Sequence, residues 1–154
     1  MIYKEVVGDL FKSPTSFILV HCISSDFALG AGIAKTFNYK YGVRDHLINT
    51  YKRNKWEYRG YCLLSDSYEN NTKKWTVVNL VTKNKYYEKP TYKTLADSLK
   101  ELKEICVEKD YHHIAMPVIG CGLDGLKWDK VSAIIKDIFH DFDCEIVVYH
   151  FNDK

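Results

Sequence analysis

The chain has 154 residues, 46% apolar and 27% charged, with 22 basic side chains against 20 acidic ones for a formal charge of +2. That length suits one domain of about 100–200 residues, with a core that needs neither disulfide nor metal. The composition excludes disordered, fibrous and collagen-like chains, and no 18-residue apolar run provides a membrane helix.

Residues 2–7 alternate in polarity like a strand and hold no apolar leader core, which predicts a cytoplasmic chain, or a nuclear one in a eukaryote. The five cysteines, Cys22, Cys62, Cys106, Cys121 and Cys144, are odd in number and lack C-x-x-C spacing. Neither a disulfide framework nor a zinc ribbon is expected, and no metal or cofactor is predicted. Residues 17–22 form a continuous apolar run, as in a strand covered on both faces. A glycine-containing turn at 30–32 opens a helix through about Tyr41, Gly42 ends it, and a second helix spans 43–53. Strands follow at 60–66 and 75–81, with Glu69–Lys73 as the turn between them. Over 92–109, Leu95, Leu99, Leu102, Ile105 and Cys106 draw one helical stripe, with Thr91 or Thr94 as its cap. Residues 113–119 read as a strand that Pro117 can end. A helix at 127–140 turns Trp128, Val131, Ile134, Ile135 and Ile138 inward, and 145–149 is the last strand.

The order ββααββαβαβ predicts an α/β fold, a three-layer α/β/α sandwich whose mixed sheet has about six strands. Ligands of such sheets bind beyond the carboxyl ends of the strands. That rule selects three loops. Ser24–Ala34 follows a buried strand and opens a helix, so Gly30 and Gly32 would let backbone amides approach phosphate. Taken alone, it is also an ordinary glycine turn before a helix. Pro117–Gly125 places Gly120, Gly122 and Gly125 in one loop, leaving amides for an anion. Its carboxylate, Asp124, could instead cap the next helix. Thr82–Pro90 is basic and aromatic, with Tyr86 and Tyr87 able to stack a base or simply lie exposed. Neither glycine loop is a P-loop or a dinucleotide fingerprint, which disfavours both readings.

Taken together, several separated motifs are familiar. Gly8-Asp9-Leu10, Gly30-Ala31-Gly32-Ile33-Ala34 and Gly120-Cys121-Gly122-Leu123 resemble those of a macrodomain, and the resemblance covers residues 1–154 as a single domain. His21-Cys22-Ile23-Ser24, Thr82-Lys83, Lys89-Pro90-Thr91-Tyr92 and Met116-Pro117 are similar to the terminal ADP-ribose protein glycohydrolase branch. The chain departs from the macrodomain majority in lacking an Asn-Ala-Ala-Asn stretch after the second strand. This disfavours an asparagine-dependent water mechanism and favours a lysine route.

The resemblance implies ADP-ribose as ligand or product. It implies hydrolysis of mono-ADP-ribose from acidic side chains, with O-acetyl-ADP-ribose and modified nucleic acid as related substrates. It implies Lys83 and Asp124 as catalytic residues and Asp9 as the acid that meets the adenine amino group. It places the 30–34 and 119–123 loops on the phosphates and distal ribose, and Phe151 or Tyr149 near adenine. The expected binding set is Asp9, Leu10, His21, Ser24, Gly30, Ala31, Gly32, Ile33, Thr82, Pro117, Ile119, Gly120, Cys121, Gly122, Leu123 and Phe151. A non-catalytic ADP-ribose reader and an ADP-ribose 1″-phosphate phosphatase are the alternatives. The chain is expected to act as a monomer with no membrane partner.

Overall fold

The computed structural model describes residues 1–51 and 58–151. Six strands form one sheet among these residues: β1 (Ile2–Val7), β2 (Ile18–Ser24), β3 (Cys62–Glu69), β4 (Thr72–Lys83), β5 (His113–Pro117) and β6 (Glu145–His150). The helices are α1 (Gly32–Tyr41), α2 (Val43–Thr50), α3 (Tyr92–Lys109) and α4 (Trp128–Phe139). The strand order is β1-β6-β5-β2-β4-β3, parallel throughout except for the β3–β4 hairpin. The predicted mixed sheet is therefore present. Of the helix expected at 43–53, residues 52 and 53 lie outside the described ones.

The apolar alternation sends strand residues to two cores. Ile18, Val20, Val78 and Leu80 meet α3 and α4 through Leu95, Leu99, Val131 and Ile135. Leu19, Val77, Val81 and Trp75 meet α1 and α2 through Phe37, Tyr41, Val43 and Leu47. Helix starts and stops follow local chemistry. Thr91 and Thr94 together make a capping box for α3, so both candidate caps are used, and Gly42 closes α1 at φ 68°.

Strand ends differ from the sequence reading where backbone pairing outruns the apolar pattern. The strand expected at 17–22 runs from Ile18 to Ser24, whereas that at 113–119 ends at Pro117, the proline able to end it, short of the apolar Val118-Ile119. The hairpin strands are longer than 60–66 and 75–81. Its turn is only Asn70-Asn71, both left-handed at φ 52° and 62°, as the twist of a two-residue hairpin requires. Thr82 and Lys83 thus sit on the end of β4, where the sheet fixes them.

Beneath the sheet, His21 is fully buried, its ring centroid 4.0 Å from that of Phe37 and its Nε2 2.6 Å from Asn79 Oδ1. Asn79 Nδ2 donates to Leu63 O and Ser65 Oγ, so Oδ1 is the atom left to accept the His21 Nε2–H. Burial lowers the imidazole pKa to about 4, against the opposing pull of Asn79. An unfolded histidine titrates near pH 6.5. Between those values the unfolded chain holds a proton that the folded one lacks, so stability falls as pH drops through that window. The lost increment is about 3 kcal/mol from pH 7 to pH 4. Urea titrations of wild type and His21→Gln across that range should show the variant gaining on wild type by this amount. A constant difference would assign the acid limb to other groups.

Candidate active site

Because five strands run parallel, the segments leaving β1, β2, β4, β5 and β6 gather at one edge of the sheet, around a cleft of about 1260 Å³. The β2–α1 segment forms one wall. Its Phe27 and Leu29 are buried yet hold left-handed backbone, φ 55° and 42°, a conformation that bulky residues keep only when their surroundings enforce it. Arg44 Nε assists by donating to Phe27 O at 2.7 Å. The bend delivers Gly30–Ile33 to the cleft. No side chain caps α1 at Ala31, so the first amides of the helix remain available to an anion.

The β5–α4 segment forms the opposite wall. Gly120 has φ 72°, and a Cβ there would lie 3.1 Å from both Leu95 Cδ2 and Leu126 Cδ1. A side chain there would need both leucine methyls to give by a few tenths of an ångström, on top of the strain of the left-handed backbone. The short turn Gly122–Asp124 then carries Asp124 over the end of β4, where Lys83 Nζ donates to Asp124 Oδ1 at 2.9 Å. Both side chains are mostly shielded, at 15% and 19% exposure. Lys89 Nζ donates to the Leu123 carbonyl beside them. The capping alternative for Asp124 does not hold: α4 starts after Lys127 without a side-chain cap.

Cysteine chemistry is suppressed here. Burial, then the Asp124 charge, pushes the Cys22 thiol up to about 12. The same two causes raise that of Cys121. Neither supplies a thiolate at neutral pH.

At the far end, Asp9 caps a 3₁₀ turn through Phe11 N, 2.9 Å from its Oδ1. Among the described residues only that oxygen is engaged. Leu10, Tyr149 and the exposed Phe151 complete this end. Beside it, His150 Nε2 meets Glu5 Oε1 at 2.6 Å, and Trp128 donates to the same oxygen. Against the cost of its burial, the hydrogen bonds from His150, Tyr3 and Trp128 hold the Glu5 carboxyl below its ordinary range.

Every residue of the expected site lines this one cleft except His21. His21 belongs to β2 but is enclosed between Phe37 and Asn79, so it packs the sheet and does not reach the ligand space. Sequence reasoning missed Asp26, which joins two of the loops. A carboxylate two residues before an N–H that it can accept was the available signal.

The α/β/α sandwich thus lines its cleft with two glycine-containing loops and a lysine–carboxylate pair made by the end of β4 and one of those loops, an arrangement suited to an anionic ligand such as a phosphate. The Macro domain model matches residues 20–135, and the chain belongs to that family. It is 40% identical over 144 residues to bovine (Bos taurus) "ADP-ribose glycohydrolase OARD1", covering 94% of this chain and 88% of that protein. The human (Homo sapiens) protein of the same name is 39% identical with the same coverage. Among solved structures, "Thermosipho africanus DarTG in complex with ADP-ribose" superposes with a TM-score of 0.81 at 19% identity, over 99% of this chain and 42% of that one.

Proposed function

We propose that this macrodomain is an ADP-ribosyl hydrolase that releases mono-ADP-ribose from acidic side chains, with Lys83 as nucleophile and Asp124 as proton carrier. The observation that carries the reading is the 2.9 Å Lys83–Asp124 pair, mostly shielded and lining the same cleft as the two amide-rich loops. The names of the bovine and human relatives support the activity. In this reading the diphosphate lies on the amides of Gly30–Ile33 and the distal ribose on the 119–123 loop. Adenine lies near Asp9, whose free oxygen accepts from the amino group.

The chemistry follows from that placement. Attack requires one proton to leave Lys83 Nζ, and Asp124 Oδ1 is in position to take it. The amine lone pair then bonds to the anomeric carbon, the C1″–O bond breaks, and its electron pair leaves with the carboxylate of the acceptor. In the second half, Asp124, having passed that first proton to solvent, takes one from water, the water oxygen bonds to C1″, the C1″–N bond returns its pair to Lys83, and Asp124 hands the proton back to the freed amine.

The test is mass spectrometry after incubation with a glutamate-linked mono-ADP-ribosylated protein. Wild type is expected to release free ADP-ribose. Asp124→Ala is expected to turn over at least about 10²-fold more slowly, either inactive because attack loses its proton acceptor or carrying an ADP-ribosyl mass on Lys83 because the resolving step loses its base. Binding of ADP-ribose with no release by wild type would make the protein a reader or an enzyme for another linkage. The 1″-phosphate and modified nucleic acid would then be the substrates to try.

A further inference from the structure

We infer that Asp26 is a positioning residue that couples the anion-binding loop to the lysine strand, so that seating the diphosphate sets the position of Lys83. The inference rests on the hydrolase reading above. Asp26 spends its two oxygens on two different segments. Oδ1 accepts from Ser24 Oγ at 2.5 Å and from Ala28 N at 3.1 Å, within the bend that leads to Gly30. Oδ2 accepts from Tyr86 N at 2.9 Å, three residues beyond Lys83 on the segment that leaves β4.

The backbone makes the same connection. Ser25 N donates to Lys83 O at 2.9 Å and Asp26 N to Asn84 O at 3.2 Å. The β2–β4 ladder thus continues past its register shift at Ser24 and ends under the Asp26 carboxylate. On the other side the segment is tied by Lys89 to the Leu123 carbonyl, next to Asp124. Lys83 and Asp124 are therefore held through neighbouring loops. The loop that would carry the phosphates reaches the lysine through Asp26.

Charge separates this role from direct ligand contact. A carboxylate in the loop that precedes an uncapped helix start opposes anion binding. Asp26 is therefore costly to affinity and useful to geometry. Asp26→Asn removes the charge, and in either amide orientation one of the two N–H groups, Ala28 or Tyr86, loses its acceptor.

The experiment uses the full chain and two readouts on wild type and Asp26→Asn: steady-state release of ADP-ribose from the glutamate-linked substrate, and hydrogen exchange of the Tyr86 amide with and without ADP-ribose. Coupling predicts kcat lower by about 10-fold with ADP-ribose Kd unchanged or tighter. It also predicts that ADP-ribose slows Tyr86 exchange in wild type but not in the variant. An unaltered kcat, a Kd that weakens in step with kcat, or exchange that responds equally in both proteins would overturn it. Slowed exchange in a wild type that releases no ADP-ribose would instead sink the hydrolase reading while leaving the coupling in place.

Discussion

Lys83→Ala is expected to reduce release of ester-linked ADP-ribose by at least about 10³-fold, or about 4 kcal/mol of barrier, while ADP-ribose affinity stays within several-fold. The split follows from position. Lys83 lines the cleft from the end of β4, paired to Asp124, whereas the amides that would hold the diphosphate belong to a different loop. A second substitution separates nucleophile from mere cation. Lys83→Arg keeps a positive partner for Asp124, but a guanidinium stays protonated and cannot attack carbon. If the lysine acts only by its charge, the arginine variant should retain a substantial part of the rate. If it forms a bond to the sugar, both variants are equally dead. Calorimetric titration with ADP-ribose alongside the turnover assay decides between these outcomes.

The largest effect on stability is expected at Gly120. It shares its left-handed backbone with Gly122, at φ 72° and 68°, but the two differ in what surrounds them. At Gly122 a Cβ meets nothing within 4 Å, so alanine there costs only the conformational strain of about 1–2 kcal/mol. At Gly120 the same strain adds to a tight contact with Leu95 of α3 and the partly buried Leu126, whose methyls must give by a few tenths of an ångström, and overpacking of that kind costs about 1–3 kcal/mol more. Gly120→Ala is expected to lower Tm by about 10 °C and Gly122→Ala by about 5 °C. Differential scanning calorimetry of the pair, at one pH, tests the difference. Equal losses would show that the loop yields and that backbone conformation alone demands glycine.

Much of this was legible in the chain, for reasons that can be located. The stripe of Leu95, Leu99 and Leu102 marked α3 to its ends because one helical face meets one sheet face. The glycines near 30 and 120 marked the cleft because loop backbone that approaches an anion closely avoids side chains. Other features left no local trace. Nothing in residues 2–7 announces that their neighbour is β6, since that pairing is a property of the whole sheet. The left-handed Phe27 and Leu29 contradict local preference and are held by tertiary enclosure. Thr82 and Lys83 read as loop because apolar patterning stops at Val81, while hydrogen bonding does not. His21 adjoined the right motif but faces the wrong way, a distinction of one strand position that polarity alone could not make.

The pairing of β1 with β6 has a consequence for how the molecule comes into being. Lys4 and Glu145, joined across these strands, are 141 positions apart. During synthesis the first strand emerges early, at about 5–20 residues per second, and then waits many seconds for its neighbour. Closing so long a loop is a slow, late event in any search for the native state. The segments that follow these two strands, Gly8–Leu10 and Phe151, form one end of the cleft. A nascent chain can thus hold the lysine and both glycine loops before this end of the cleft exists, and the complete cleft should arrive last.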